Sequence, residues 1–210
     1  MLHNNTVQLI GHYGSDEIHA LSAWTSTSRE LSDSKVERIP ALLNMLAKEG
    51  HHTPFEKSCF HFLVTTDVAS HIHLIKHRIN VSVNAESARY KELKEDKYYI
   101  PYDWPDNWKN KLEEYTAQGN KLYHEAIEDL TKQYGFDRKR AKESARFFKT
   151  YNSQITSDVM FNFRSFNHFL SLRKTEHAQK EIFYVASDML NLVKNIPSNP
   201  FKFTLAAFGY

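Results

Sequence analysis

Two periodicities of apolar residues alternate along this chain, and together they decide its fold class. From Lys57 to Thr66, Phe60, Phe62 and Val64 fall on one side and Cys59, His61 and Leu63 on the other. Successive side chains of a strand point to opposite faces, so this segment predicts a strand with one strongly apolar face. Thr6 to Gly11 carries a shorter version of the same pattern. Elsewhere the spacing switches to three or four. Ile18, Leu21 and Trp24 follow the cap candidates Ser15 and Asp16, and Leu42, Leu43 and Leu46 run up to Gly50. Trp108, Leu112, Tyr115, Leu122, Ala126 and Leu130 lie between Asp106 and Gly135, and Ile182, Ala186, Met189 and Val193 between Thr175 and Lys194. Each of these series predicts an amphipathic helix.

Punctuation residues set the remaining boundaries. Ser34 and Glu37 have capping-box spacing before a helix that restarts at Pro40. Asp67 is placed to cap a helix from Val68 to about Arg78, Asp137 one reaching about Phe148, and a further helix is expected from roughly Asp158 to Leu172. Lys97 to Pro105 and Asn195 to Pro200 read as loops. No repeat or linker interrupts the chain, so residues 1–210 are expected to form a single α+β domain.

Composition narrows the function classes. The net charge of +2 is too small for a polyanion-coating protein, and the acidic residues are mixed through every helix. A single cysteine, Cys59, rules out an intramolecular disulfide framework and fits a reduced compartment. Mid-strand among aromatics, it is expected to be buried and inert. Met1 to Thr6 is polar, without the apolar run of a signal peptide, and no stretch reaches the roughly 20 apolar residues of a membrane span. The expectation is a cytoplasmic protein. With six glycines and no Gly-x-Gly-x-x-Gly, a Rossmann nucleotide site is excluded.

Three segments hold polar groups that core and surface logic leave unexplained. In His51-His52-Thr53-Pro54-Phe55-Glu56, Thr53 precedes proline and is expected to be extended, exposing its hydroxyl; alternatively the segment is a plain helix-to-strand loop. The second runs from Lys76-His77-Arg78 through Ser82, Asn84, Glu86 and Ser87 to Arg89-Tyr90. It reads equally as a loop around a polar ligand, with Arg78 and Arg89 as planar forks for phosphate or a uracil edge, or as a solvated basic loop. In the third, Asn162 to Arg173, Arg164 and His168 are helical neighbours, and Asn162 and Arg173 share a face about three turns apart. Phenylalanines occupy much of that helix, so its arginines need partners: Glu181 or Asp188 in a structural ion pair, or an anionic ligand.

In this order, the three segments resemble the flavin-dependent thymidylate synthases (the ThyX family). Lys76-His77-Arg78 fills the place of the family's Arg-His-Arg, with Ser87 and Arg89 downstream. His51-x-Thr53-Pro54-Phe55-Glu56 is similar to the family's upstream segment. Asn162-x-Arg164-Ser165, Phe169-Leu170-x-Leu172-Arg173 and His177-Ala178-Gln179-x-Glu181-Ile182 are similar to its C-terminal block. The chain departs from the pattern at Lys76, at Ala85 where the family often has Glu, after Arg146, and in having eight rather than seven residues between Arg78 and Ser87.

The resemblance implies helices packed on a curved antiparallel sheet, a ThyX-like fold, and reductive methylation of dUMP to dTMP. It implies bound FAD, with 5,10-methylenetetrahydrofolate and NAD(P)H as co-substrates. By the same resemblance, Thr53, Lys76, His77, Arg78, Asn162, Arg164 and His168 would hold FAD. His73, Lys76, Glu86, Ser87, Arg89, Arg146 and Arg173 would hold dUMP, and Arg173 would be catalytic. Ser87 lacks an evident base and is taken as a binding hydroxyl. The family also implies a homotetramer with active sites at subunit interfaces, and neither a nucleic-acid nor a membrane partner.

Two rival readings come from other classes. His71, His73 and His77 have ligand-like spacing for a metal hydrolase, with His73 and His77 on one helix face, yet no glutamate stands between them in a zinc-protease pattern. Basic and aromatic residues interleave from Arg138 to Arg173 as in a nucleic-acid-binding module, against the weak net charge.

Overall fold

The computed structural model describes residues 4–210. The first three residues of the polar opening lie outside the described residues. In chain order the elements begin with β1 (Thr6–Tyr13), α1 (Asp16–Trp24), α2 (Asp33–Val36), α3 (Ile39–Lys48), a 3₁₀ turn (Thr53–Glu56), β2 (Cys59–Asp67), α4 (Val68–Ile75) and β3 (Val81–Ala85). They continue with α5 (Asp106–Lys132), α6 (Arg138–Ala145), a second 3₁₀ turn (Arg146–Phe148), β4 (Gln154–Phe161), α7 (Phe163–Arg173), α8 (Lys180–Lys194) and α9 (Lys202–Ala207). The four strands form one antiparallel sheet in the order β1-β2-β4-β3, so the expected α+β class holds. Two compact units emerge from the contacts. One comprises Val7–Val64, Lys76–Val83 and Asp158–Tyr210; the other comprises Thr65–Ile75 and Asn84–Ser157 with the N-terminal stretch up to Thr6.

The first unit is built on aromatic rings. Phe60, Phe62 and Val64 are fully buried, as the alternation in β2 predicts, and Phe161, Phe163, Phe166, Phe169 and Phe201 join them. Phe60 meets Phe166 and Phe201 edge to face, with ring centroids 5.3 and 4.9 Å apart. Each such ring stabilises by about 1.5–3 kcal/mol through burial, and edge-to-face pairing adds to that. Ile182, Ala186, Met189 and Val193 of α8 are buried as expected, although the helix starts at Lys180 rather than Thr175.

Ser15 caps α1, its Oγ accepting from the Ile18 N–H. The helix buries Asp16, His19, Ala20 and Trp24, leaving Ile18 and Leu21 half-buried. The polar pair prevails because its partners lie inside. Ser58 Oγ and Thr204 Oγ1 stand 2.9 Å from the two ring nitrogens of His19, and Thr204 Oγ1 donates to Asp16 at 2.6 Å. Asp16 also accepts from the backbone N–H groups of Phe203 and Thr204, which fastens α9 to α1. The cap of α2 is Ser32, two residues earlier than Ser34. Gly50 closes α3 with a φ of 73°, a left-handed position suited to glycine.

The second unit is organised around α5, and here the expected stripe is wrong. Trp108 and Tyr115 are 55% and 66% exposed, whereas Thr116, Gly119, Asn120, Tyr123 and Ile127 are buried. The helix presents small and polar residues to a backbone that lies close against it. A Cβ on Gly119 would stand 2.5 Å from the Phe148 carbonyl oxygen. Asn152 Nδ2 donates to Thr116 Oγ1 at 3.0 Å, and Lys149 Nζ donates to Asn120 Oδ1 at 2.7 Å. Asp67 caps α4 through its bond from the Ser70 N–H, and Asp137 caps α6 through those from Lys139 and Arg140. Helix α4 ends at Ile75, short of Arg78.

Two strands went unread as strands in the sequence. Val81–Ala85, expected within a loop, is β3, and Gln154–Phe161 is β4, although Asp158 was expected to open a helix. That helix begins only at Phe163.

Candidate active site

In the first unit, α7 and its cap carry three of the seven residues expected around a flavin, Asn162, Arg164 and His168. Asn162 is its N-cap: the carboxamide oxygen accepts from the Ser165 N–H at 2.8 Å. Asn162 therefore stands outside the helix and does not share a helical face with Arg173 in the expected way. Two residues on, Arg164 Nη1 donates to Glu56 Oε1 at 2.6 Å, which ties α7 to the 3₁₀ turn that begins with Thr53. Thr53 and His168 are exposed. At the last turn, Arg173 Nε donates to His77 Nε2 at 3.0 Å. Neither arginine takes Glu181 or Asp188 in these bonds; Glu56 and His77 are the partners.

His77 is 8% exposed, while its chain neighbours Lys76 and Arg78 are exposed. Its ring lies edge to face against Phe169 at 5.0 Å and near His168 at 5.9 Å. Two grooves border the same region. One of about 460 Å³ includes Tyr13, Arg29, Glu56, Ser58 and Cys59 in its lining; the other, of about 400 Å³, includes Ser58, Cys59, Asn80, Ser82, Met160 and Asn162. Cys59 is thus half-buried and lines both, contrary to the expected buried thiol. Lys76, Arg78 and Arg164 are exposed cations of the same unit, although none of the three lines either groove.

The second unit holds most residues expected around dUMP. Glu86 directly follows β3 and extends the sheet pairing: its N–H donates to the Thr156 carbonyl, and its Oε2 accepts from the Thr156 N–H, both at 2.9 Å. Burial pushes its carboxyl up, but the Lys91 ammonium at 2.7 Å and the Thr156 N–H outweigh that and leave it below the usual carboxylate value. Glu86 therefore stays ionised near neutral pH. Ser87 is half-buried, and its carbonyl accepts from the N–H groups of Tyr90 and Lys91. Arg89 Nε donates to Glu143 Oε2 at 3.0 Å, with the guanidinium over the Tyr90 ring. Arg146 is exposed at the start of the second 3₁₀ turn, and His73 is half-buried on α4.

Glu56, Glu143 and Thr156 were missed as hydrogen-bond partners of the candidate residues. Glu56 lay inside the Thr-Pro-Phe-Glu motif, so its place was visible. Glu143 and Thr156 left no signal, since an ion pair or ladder bond across more than 50 positions has no local pattern. Because α4 stops at Ile75, His73 and His77 do not share a helix face. His71 Nδ1 is engaged with Ser157 Oγ at 3.0 Å, and burial holds the His71 imidazole below the ordinary histidine value. Among the described residues no group of three or more His, Cys, Asp or Glu is arranged to hold a metal ion, and no helix is long and apolar enough to cross a membrane.

Comparison with known proteins adds three findings. The family model described as "Thymidylate synthase complementing protein" matches residues 8–197. A flavin-dependent thymidylate synthase of Pseudothermotoga lettingae is 34% identical, covering 93% of this chain and 88% of its own; one from Clostridium tetani is 31% identical, covering 84% and 74%. A crystal structure of the UMP/dUMP methylase PolB from Streptomyces cacaoi, bound with 5-Br dUMP, superposes with a TM-score of 0.79 at 27% identity, covering 99% of this chain and 96% of that one.

Proposed function

Since the chain belongs to the thymidylate synthase complementing protein family, we propose that it is a flavin-dependent thymidylate synthase, an enzyme that methylates dUMP to dTMP. The observation that carries this reading is the family match over residues 8–197, which contains all three motif segments. FAD, when bound, supplies the hydride that completes the new methyl group. The one-carbon unit comes from 5,10-methylenetetrahydrofolate, and NAD(P)H is the reductant.

The chain's own residues bind and orient. Thr53, Lys76, His77, Arg78, Asn162, Arg164 and His168 hold the flavin nucleotide. Ser87 and Arg89 hold dUMP, chiefly its phosphate, assisted by His73, Lys76, Glu86 and Arg146. Arg173 faces the uracil edge and stabilises negative charge at N3 and O2 as C5 becomes nucleophilic; a fixed guanidinium does this without reorganisation cost. The 210 residues act as one catalytic domain, in a cytoplasmic homotetramer whose active sites lie at subunit interfaces.

The test is spectroscopic and then isotopic. The purified protein should be yellow, and NAD(P)H should bleach it. Tritium should be released from C5-labelled dUMP when the folate is present. Arg173→Ala should abolish release while keeping the flavin; activity surviving that change overturns the role of Arg173. The Streptomyces cacaoi relative is named for UMP as well as dUMP, so the assay carries a labelled UMP arm. Preferential turnover of UMP would replace dUMP as the substrate.

A further inference from the structure

His77 lies in the segment that the resemblance gives to the cofactor, yet its ring nitrogen is engaged elsewhere. Nε2 accepts from Arg173 Nε at 3.0 Å. A guanidinium nitrogen can only donate, so Nε2 carries a lone pair and the neutral imidazole holds its proton on Nδ1. The ring is 8% exposed and has little freedom to turn, because Phe169 stands edge to face at 5.0 Å. Phe169 and Arg173 are four residues apart on α7, so one helix face supplies both the aromatic wall and the bonded guanidinium.

The contact is made at Nε, along the side of the guanidinium. A hydrogen bond there fixes the rotation of the group about its stem and directs the Nη fork, the part suited to a planar anionic edge. We infer that His77 is a positioning residue: through Nε2 it aims the Arg173 guanidinium at the nucleotide base, in addition to any contact it makes with the cofactor. This rests on the catalytic role proposed for Arg173.

The arrangement requires an uncharged imidazole. Once protonated, both ring nitrogens are donors, and a cation would face the guanidinium across 3.0 Å. The titratable or charged groups facing the ring from α7 are Arg173 and His168, while Lys76 and Arg78 flank it in the chain. An imidazolium at His77 would therefore release the aim.

Two variants test this in the flavin-loaded enzyme. The amide oxygen of Gln can accept from Arg173 Nε and does not titrate; Leu cannot accept. His77→Leu should lower kcat for tritium release per bound flavin by about 10- to 100-fold, the scale of a misaimed catalytic group. His77→Gln should recover most of that loss, and its kcat should lose the acid-side decline of the unmodified enzyme. If Gln fails as badly as Leu, or if the acid-side decline persists in Gln, the positioning role is wrong. If the Leu variant does not hold flavin, the pH profile of Gln decides alone. Arg173→Ala is run alongside: activity there overturns the proposed role of Arg173 itself, whereas loss in Arg173→Ala with no effect in either His77 variant overturns only the inference.

Discussion

Arg164 on α7 and Glu56 in the 3₁₀ turn are joined by a 2.6 Å hydrogen bond across 108 positions of the chain. Arg164 is 50% exposed and Glu56 24%, so solvent screens the pair and its contribution to stability is small, at most about 1 kcal/mol. Its value lies in geometry, because it sets the 3₁₀ turn beside the start of α7. Glu56→Gln is expected to leave the melting temperature almost unchanged while weakening FAD binding about tenfold, the scale of one charge-assisted hydrogen bond. Flavin absorbance per protein after dialysis measures this, and unaltered retention would refute it.

The buried His19 predicts a specific acid response. Thr204 Oγ1 donates to Asp16, so it accepts from His19 Nδ1, and His19 Nε2 accepts from Ser58. Burial lowers His19 from 6.5 to about 4. The unfolded chain therefore binds the extra proton first. The stabilisation is fully present above 6.5 and is lost as pH falls towards 4, about 3 kcal/mol in all. Asp16 opposes part of this, because burial raises its carboxyl and protonating it favours the folded chain. Urea midpoints measured over this range should fall with pH, and His19→Gln should flatten the slope; an unchanged slope would remove His19 as its source.

Gly119→Ala should destabilise the protein although alanine favours helix. The added Cβ would stand 2.5 Å from the Phe148 carbonyl oxygen, a backbone atom that cannot step aside cheaply. Overpacking costs about 1–3 kcal/mol against the roughly 1 kcal/mol gained in propensity. The same push displaces the turn carrying Arg146, so the KM for dUMP should rise as well. A variant more stable than the parent would show that the turn yields freely.

Lys149 is 8% exposed and bonds both Asp96 and Asn120, with its ammonium 4.5 Å from the Tyr123 ring centroid. Burial pulls its pKa below the usual lysine value, against the pull of Asp96. Lys149→Met would leave Asp96 beside His124 without the ammonium. The expected cost is about 1–3 kcal/mol, read from chemical denaturation, because Asp96 and Asn120 both lose the ammonium they bond. A loss below about 0.5 kcal/mol would place the pair among screened surface contacts.

Legibility followed burial chemistry. Where a buried face is purely apolar, as in β2 and α8, spacing alone gave the right residues. In α5 the buried stripe is Thr116, Gly119, Asn120, Tyr123 and Ile127, chosen by polar partners and a close backbone approach. Large aromatics at Trp108 and Tyr115 drew the pattern to the opposite side. The alternation Val81, Val83, Ala85 was present in the sequence, but the charged flanks Arg78 and Glu86 made the segment look like a loop. In β4, period two runs through Val159 and Phe161 to Phe163 and then changes to helical spacing, which blurred the junction. The motifs contain Arg164, His77 and Arg173; only the folded chain pairs Arg164 with Glu56 and Arg173 with His77.

The rings that fill the first unit also limit how its sequence can drift. Phe60 touches Phe62, Phe163, Phe166 and Phe201, so trimming one of them exposes an unfilled hollow to several others at once. Viable change there proceeds by coordinated exchange, one ring shrinking as a neighbour grows. Libraries that vary these positions one at a time would return mostly failures, while paired libraries would find the alternatives.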